Sequence, residues 1–248
     1  MLAIIGGSGL TRLANFDVRR REVVRTPYGE PSGPLIFGTM QGREVIFLAR
    51  HGEDHTIPPH KVNYRANIWA LHSQQARDIL SVASVGGIRS DLTPGTLAVP
   101  DQIIDYTHGR KSTFFSNADS GVIHVDFTHP YCESLRRRLL GAAAEAKEQI
   151  VAGGTYAATQ GPRLETAAEI NRLERDGADM VGMTGMPEAV LAREMGLCYA
   201  AVAIVVNHAA GRGSSAQGVR LDDIAAVLQA AVVRVHHVLY RLVVRDGD

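Results

Sequence analysis

Short runs of consecutive apolar residues recur along the chain, separated by glycine, proline or polar clusters. Continuous apolar runs of about four to eight residues are typical of strands that are buried on both faces of a sheet. The runs predict strands at Leu2–Ile5, Val23–Arg25, Leu35–Phe37, Val45–Leu48, Ile79–Val85, Leu97–Ile104, Gly153–Ala158, Met180–Met183 and Cys198–Val206.

Apolar residues at every third or fourth position indicate helices between many of these strands. This spacing predicts helices over Asn63–His72, Ser134–Lys147, Glu165–Arg175, Pro187–Met195 and Leu221–Val244. Because strands and helices alternate through most of the chain, we predict an α/β fold. We expect a three-layer single domain over residues 1–248, with a mixed central β-sheet flanked by helices.

Residues 180–194, MVGMTGMPEAVLARE, combine a buried strand end, a tight turn and a helix. Pro187 and Glu188 fall in the first helical turn, where proline is tolerated and a carboxylate interacts favourably with the helix dipole. Backbone N–H groups at a helix N-terminus attract anions. The turn adds a hydroxyl and two thioethers, from Thr184, Met183 and Met186. The alternative is an ordinary loop with methionines in the core, where we expect Met186.

Charge and cysteine content restrict the class of protein. Lys+Arg and Asp+Glu balance at 26 each, so the chain has no overall basic surface for nucleic acid, and any anion site must be local. The two cysteines, Cys132 and Cys198, are too few for a disulfide framework in a chain of 248 residues. Cys198 begins an apolar strand, which predicts a buried free thiol.

The N-terminal sequence MLAIIGGSGL has no basic region before its apolar residues, and it predicts a first strand, not a signal peptide. The remaining apolar runs are shorter than a membrane-spanning helix requires. Together with the sparse cysteines, these features predict a cytoplasmic protein that does not bind a membrane.

Several predicted strands end in polar or glycine-rich residues, and ligands of open α/β sheets collect at the carboxyl ends of strands. Residues 6–9, GGSG, lack the third glycine of the dinucleotide motif and the lysine of the Walker motif. Hydrogen-bond donors predominate at the strand ends, namely Ser8, Arg50, His51, the backbone near Ser84, and Thr184. An arginine fork with neighbouring hydroxyl groups suits a tetrahedral oxyanion such as phosphate.

Glu165 and Asn207 differ chemically from these donors, because a carboxylate and a carboxamide can together recognise the edge of a heterocycle. With this arrangement, the chain resembles the trimeric purine nucleoside phosphorylase and methylthioadenosine phosphorylase family. The matching stretches are IIGGSGL (4–10), LARHGEDHTIPPHKVNYRANIWAL (48–71), SVGGI (84–88), TQGPRLETAAEI (159–170), VGMTGMPEAVLARE (181–194) and VVNHAA (205–210). They span nearly the whole chain, and the second stretch is most similar to the methylthionucleoside branch.

The resemblance implies a pentosyltransferase of purine salvage that uses inorganic phosphate as co-substrate and needs no cofactor or metal. The residues implied for phosphate are Ser8, Arg50, His51, Ser84 and Thr184. The residues implied for the nucleoside are Met183 at the ribose, and Glu165, Asn207, His208 and Ala209 near the base. Among these, Asn207 has the catalytic role.

Three positions depart from the methylthioadenosine enzymes and bear on the base. Those enzymes have aspartates at the positions of Asn207 and Ala209, and a small hydroxyl residue at that of Glu165. Asn207 can donate to O6 or N7 of a 6-oxopurine, while Glu165 can accept from its N1–H. The wrong base would leave buried polar groups unpaired, which discriminates by roughly 10⁴-fold. We therefore predict a 6-oxopurine base.

For the 5′ group of the sugar, the resemblance implies a pocket formed by Leu221, Ile224 and, from a neighbouring subunit of a homotrimer, His124. Because Leu221 and Ile224 are apolar, we expect 5′-methylthioinosine as the substrate. The alternatives are phosphorolysis of inosine or guanosine, phosphorolysis of methylthioadenosine, and a purely structural role for the two apolar residues. His124 belongs to an irregular segment, residues 107–131, whose length is typical of functional or assembly loops.

Two other classes of protein fit the sequence less well. A cluster of His51, Asp54, His55 and His60 could suggest a metal hydrolase, but its spacing matches no helical zinc motif and two prolines interrupt it. A purine-binding sensor without catalytic activity would not need the residues assigned to phosphate. Phosphate-dependent release of hypoxanthine would distinguish an enzyme from such a sensor.

Overall fold

The computed structural model describes residues 1–116 and 121–245; residues 117–120 of the irregular segment and residues 246–248 lie outside this description. The strands are β1 (Leu2–Gly6), β2 (Asp17–Glu22), β3 (Leu35–Met40), β4 (Arg43–Ala49), β5 (Asp78–Gly87), β6 (Leu97–Val99), β7 (Gln102–Asp105), β8 (Ile150–Ala152), β9 (Thr155–Ala158), β10 (Met180–Gly182) and β11 (Cys198–His208). The α-helices are α1 (Tyr64–Ser73), α2 (Glu133–Glu145), α3 (Ala167–Arg175), α4 (Gly185–Glu194) and α5 (Leu221–Arg245).

Strand β5 is the centre of one mixed sheet. It pairs in parallel with β1 and β11, and its last residues pair antiparallel with β10. Beyond β1 the sheet continues through β4, β3 and β2, and beyond β10 it continues through β9 and β7. Because β4, β1, β5 and β11 run parallel to one another, their carboxyl ends meet at one edge of the sheet.

The side chains of β1 alternate between two hydrophobic cores, one on each face of the sheet. Ala3 and Ile5 pack with residues of α1 and α4, whereas Leu2 and Ile4 pack with residues of α2 and α5. Successive side chains of a strand point to opposite faces, so one short apolar run contributes to both cores. The predicted three-layer α/β arrangement with a mixed sheet is confirmed.

Two strand predictions were wrong in position. Val23–Arg25 is not a strand; the strand at that edge is β2, whose residues DVRRRE are mostly exposed. An edge strand with solvent on its faces needs no apolar run, and charged side chains protect it from pairing with other chains. The single strand predicted over Leu97–Ile104 is divided into β6 and β7, because Pro100 between them has no N–H for the ladder.

Cys132 and Cys198 form a disulfide, so the prediction of a free thiol at Cys198 is wrong. The Cys132 N–H donates to the Tyr199 carbonyl oxygen at 2.7 Å, which brings the start of α2 beside the start of β11. The sequence separation of 66 positions hides this proximity in the sequence. Since disulfides are rare in reducing compartments, cysteine usage gives no support to the cytoplasmic prediction.

The prediction that every apolar run is shorter than a membrane-spanning helix does not hold for α5. Its 25 residues are long and apolar enough to cross one, judged by length and composition. However, the stripe that contains Val235, Val238, Leu239 and Leu242 is buried against α2 and the sheet. A core helix meets the same criterion, so α5 is only a weak indication of a membrane protein.

Candidate active site

A cavity of about 420 Å³ lies at the carboxyl ends of the parallel strands, and its volume is in the range of small-molecule sites. It is lined by all five residues predicted for phosphate, namely Ser8, Arg50, His51, Ser84 and Thr184. The same cavity is lined by Met183, Glu165, Asn207, Ala209 and Ile224. Residues far apart in sequence therefore come together as predicted, although their roles in binding stay predictions.

Three residues predicted for the nucleoside lie outside this cavity. The His208 ring turns to Ser214, whose Oγ is 2.9 Å from Nδ1. Leu221 is 68% exposed, and only Ile224 of that pair lines the cavity. His124 lies on the irregular segment and is exposed in the single chain.

Arg50 is fully buried, and its guanidinium is not the free fork that the sequence suggested. Nε and Nη2 donate to the two Glu188 carboxylate oxygens at 2.8 and 3.0 Å. Nη2 also donates to Ser81 Oγ at 2.6 Å, and Nη1 donates to the Val82 carbonyl oxygen at 3.0 Å. Because a guanidinium has five N–H groups, one on Nη1 remains for an anion.

Glu188 determines the charge and the orientation of Arg50. Its carboxylate is fully buried and also accepts a hydrogen bond from Tyr199 Oη at 2.8 Å. Burial alone would lower the pKa of Arg50, but the adjacent Glu188 carboxylate holds that pKa above its usual value. The arginine is therefore cationic beside the cavity at any physiological pH.

The glycine loop after β1 approaches Arg50 closely. A Cβ atom on Gly7 would lie 2.8 Å from Arg50 Nη1 and 2.5 Å from the Val82 carbonyl oxygen. Only glycine leaves room for this approach, which brings the following residue, Ser8, to the cavity. The Ser8 hydroxyl lies 3.4 Å from His55 Nε2 at the opening.

The turn at Thr184 differs from the predicted helix start. Met186 has an extended backbone with φ −119° and ψ 139°, so the regular helix begins only after it. The backbone N–H groups near Thr184 thus do not form a regular helix N-terminus. The Thr184 side chain makes no capping hydrogen bond, and it lines the cavity. Met186 is buried in the core, as predicted.

A bulge between Val205 and Asn207 turns the end of β11 toward the cavity. Asn207 Nδ2 donates to the His208 carbonyl oxygen at 2.6 Å, which fixes the plane of the carboxamide. An amide nitrogen carries two N–H groups, so one of them and the oxygen remain for a ligand.

Glu165 is half-buried on the same cavity and is oriented by Thr159. The Thr159 hydroxyl donates to Glu165 Oε1 at 2.7 Å, whereas the Gly182 carbonyl oxygen is farther away at 3.3 Å. Oε2 is left to accept from a ligand. Asn207 and Glu165 thus offer a donor and an acceptor to one cavity.

Arg110, from the irregular segment, connects the loops that carry Met183 and Glu165. It donates to the carbonyl oxygens of Thr159, Gln160, Met183 and Met186, at 3.2, 2.8, 2.8 and 2.6 Å. These loops carry Met183 and Glu165, the residues predicted for the ribose and the base, so Arg110 stabilises their relative position.

Sequence reasoning assigned Glu188 only to the helix dipole, and it missed Thr159 and Arg110. Glu188 had a detectable signal, since it lies three and four residues before Leu191 and Ala192, on the buried face of α4. A charged residue on an apolar helix face requires a buried partner. Thr159 and Arg110 gave no comparable signal, because their partners are in distant loops.

Comparison with known proteins gives one consistent family. Residues 1–244 match the model of the phosphorylase superfamily. A probable S-methyl-5′-thioinosine phosphorylase from Xanthomonas campestris pv. campestris is 55% identical over 230 residues, which cover 93% of this chain and 92% of the relative. A 6-oxopurine nucleoside phosphorylase from Pyrococcus furiosus is 48% identical over 215 residues, which cover 85% of this chain and 80% of the relative.

A solved structure is similar over almost the whole chain. Methylthioadenosine phosphorylase from Schistosoma mansoni, in complex with adenine, superimposes with a TM-score of 0.94 at 34% identity. The match covers 99% of this chain and 91% of that chain. The names of these three proteins refer to different nucleosides. The choice of substrate for this chain is therefore argued from the residues that line the cavity.

Proposed function

The chain belongs to the phosphorylase superfamily, and on that premise we propose that it is a nucleoside phosphorylase acting on 5′-methylthioinosine. With inorganic phosphate, this pentosyltransferase forms hypoxanthine and 5-methylthioribose 1-phosphate. The observation that carries the proposal is the pair of Glu165 and Asn207 on the cavity that Arg50, Ser8 and Thr184 also line.

The hydrogen-bonding groups that remain free on Asn207 and Glu165 favour a 6-oxopurine base. Asn207 keeps one N–H that can donate to O6 or N7, and Glu165 keeps one oxygen that can accept from N1–H. Adenine has an amino group in place of O6 and no proton on N1, so the contact of Asn207 with O6 and the contact of Glu165 with N1–H would both be mismatched. Polar groups that are left unpaired in this way lower kcat/KM for the wrong base by roughly 10⁴-fold.

The 5′-methylthio group is supported by the apolar part of the cavity lining. Val206, Val219 and Ile224 line the cavity, while Leu221 does not. A thiomethyl group gains free energy from apolar surroundings, whereas a 5′-hydroxyl would need a hydrogen-bonding partner. Inosine and guanosine are therefore the alternative substrates that share the base but not this group.

In the proposed mechanism, a phosphate oxygen attacks C1′ while the C1′–N9 bond breaks, through an oxocarbenium-like transition state. The electron pair of the broken bond moves to the purine, which becomes negatively charged and then takes up a proton to form hypoxanthine, while the P–OH group of the sugar phosphate releases one. The Asn207 N–H stabilises this charge at N7 or O6; losing a donor at such a position typically lowers kcat by roughly 10²–10³-fold. Phosphate is already an anion, so no side chain has to activate it.

Phosphate-dependent release of hypoxanthine tests the function. Incubation of the protein with 5′-methylthioinosine should release hypoxanthine only when inorganic phosphate is present, with 5-methylthioribose 1-phosphate as the second product. Release of hypoxanthine at the same rate in phosphate-free buffer would indicate a hydrolase. The absence of release in both buffers would favour a binding protein.

Thr159 provides a first prediction about base recognition. Thr159→Val removes the donor to Glu165 Oε1 and should lower kcat/KM for 5′-methylthioinosine by about tenfold to a hundredfold, the usual range for a hydrogen bond to a charged group. KM for phosphate should not change. Thr159→Ser keeps the hydroxyl and serves as the control with near-normal activity. An unchanged kcat/KM in Thr159→Val would show that Thr159 does not orient Glu165.

We further propose a homotrimer in which His124 of one subunit lies near the active site of its neighbour. The segment around His124 supports an interface, since Val122 is 83% exposed and Ile123 is 46% exposed. Adjacent exposed apolar residues often mark a surface that another chain covers. We also propose that the protein is cytoplasmic. It needs no cofactor, and inorganic phosphate is its co-substrate.

A further inference from the structure

The hydrogen bonds of His51 determine which ring nitrogen carries a proton. Nδ1 lies 2.8 Å from the carbonyl oxygen of Ile57, and the Ile57 N–H donates to the His51 carbonyl oxygen at 3.0 Å. A carbonyl oxygen can only accept, so the proton of the neutral ring is on Nδ1. Nε2, on the far side of the ring, then presents a lone pair.

The surroundings of His51 favour the neutral ring. Burial, followed by the charge of Arg50, lowers its pKa to about 4. The other ionisable groups that face the ring are His55, whose ring centroid is 4.8 Å away, and Glu188 from α4. The Glu188 carboxylate is paired with Arg50 and does not restore the usual pKa. At neutral pH the ring is therefore uncharged.

The rest of the anion site consists mainly of hydrogen-bond donors. Arg50 offers one N–H, and Ser8 and Thr184 offer hydroxyl groups. Such donors bind any tetrahedral dianion of suitable size, including sulfate. The lone pair of His51 Nε2 is different, because it requires a proton on the ligand.

We propose that His51 makes the site selective for protonated tetrahedral oxyanions, because its Nε2 accepts a hydrogen bond from the P–OH group of monohydrogenphosphate. The inference rests on the proposed function, since it requires that this cavity bind phosphate. Arsenate carries an equivalent hydroxyl and should bind in the same way. Sulfate has no proton at this pH and would place an oxygen lone pair against that of Nε2.

The proposal predicts a proton-linked difference between the two ions. Sulfate can bind well only if His51 takes up a proton, so its affinity should fall about tenfold per unit increase in pH, between about pH 6 and 8. At about pH 8 sulfate should bind roughly ten- to a hundredfold more weakly than phosphate, as expected for a buried acceptor without a donor.

Isothermal titration calorimetry of the whole protein, without nucleoside, tests this directly. Inorganic phosphate, arsenate and sulfate are each titrated at about pH 6, 7 and 8, in two buffers with different ionisation enthalpies. We expect sulfate binding to take up close to one proton, and phosphate or arsenate binding at about pH 8 to take up almost none. Sulfate that binds as tightly as phosphate, without proton uptake, would overturn the proposal.

Two variants separate His51 from the other residues of the site. In His51→Gln, whose side chain has an N–H donor, sulfate affinity should no longer depend on pH and should approach that of phosphate. Thr184→Val removes one hydroxyl, so it should weaken both ions by a similar factor and keep the pH dependence of sulfate. A pH dependence that persists in His51→Gln would assign the proton to another group.

The titrations also separate this inference from the proposed function. If phosphate does not bind to the wild-type protein at any pH, the phosphorylase proposal fails and this inference fails with it. If phosphate binds and supports turnover but sulfate binds equally well, only the role of His51 is wrong. The wild-type measurements need no variant, so the test holds even if His51→Gln does not fold.

Discussion

Replacing Glu188 by glutamine should lower the free energy of unfolding by about 3–5 kcal/mol, because it leaves the fully buried Arg50 guanidinium without a counter-charge. The same substitution should raise KM for phosphate by at least roughly tenfold, since two of the four hydrogen bonds that hold Arg50 end on Glu188. Urea unfolding and phosphate-dependent kinetics measure the two effects.

Two further variants distinguish a structural role of Glu188 from its role at the phosphate site. Tyr199→Phe removes one hydrogen bond to the carboxylate but keeps the ion pair, so it should cost only about 1.5 kcal/mol. The double variant Arg50→Met with Glu188→Leu should recover much of the lost stability, because apolar residues often replace a buried ion pair without loss. Its activity with phosphate should remain low, since the cation is absent.

Two outcomes would contradict the proposed roles of Glu188 and Arg50 at the phosphate site. If Glu188→Gln unfolds as predicted but keeps the wild-type KM for phosphate, Arg50 does not need Glu188 to reach the anion. If the double variant uses phosphate normally, Arg50 is not part of the phosphate site at all.

Asn207→Asp should change the preference for the base. We expect kcat/KM for methylthioadenosine, relative to 5′-methylthioinosine, to rise by at least roughly a hundredfold, because a carboxylate accepts from the 6-amino group while its protonated form donates to N7. The Asn207 carboxamide has one N–H on the His208 carbonyl oxygen, so only its second N–H serves a 6-oxopurine. Steady-state kinetics with both nucleosides give the ratio.

Two matched substitutions define the contribution of each group. Asn207→Ala should lower kcat for 5′-methylthioinosine by roughly 10²–10³-fold without creating a preference for adenine, because it removes the donor to the leaving base and adds no acceptor. In Glu165→Gln the amide oxygen takes the Thr159 hydrogen bond and the NH2 group faces the base, so 6-oxopurines should bind more weakly and the substrate ratio should shift in the same direction as in Asn207→Asp. A substrate ratio that stays the same in Asn207→Asp would exclude this assignment of the base.

The sequence allowed prediction of those features that depend on local pattern. Apolar runs such as Leu2–Ile5 and Cys198–Val206 identify strands because burial on both faces leaves no polar position in them. Because the carboxyl ends of parallel strands meet at one edge of a sheet, the polar residues at these ends were expected to lie together. Ser8, Arg50 and Asn207 do line one cavity. The edge strand β2 was missed since its exposed, charged residues carry no such pattern.

Features that depend on tertiary contacts could not be predicted from pattern alone. Arg50 was correctly located at the cavity, but nothing near it in sequence shows that Glu188, 138 residues away, accepts two of its hydrogen bonds. The disulfide between Cys132 and Cys198 depends on the docking of α2 against β11 in the same way. The family resemblance implied both Leu221 and Ile224 at the cavity, yet only Ile224, nearly one turn later, reaches it.

In the proposed function, the cavity recognises a 6-oxopurine base and an apolar 5′ group. Measuring kcat/KM for 5′-methylthioinosine, inosine, guanosine and methylthioadenosine at saturating phosphate tests this recognition directly. We expect the highest value for 5′-methylthioinosine, lower values for inosine and guanosine, and a value for methylthioadenosine that is lower by roughly 10⁴-fold. A higher kcat/KM for methylthioadenosine than for 5′-methylthioinosine would contradict the roles of Glu165 and Asn207.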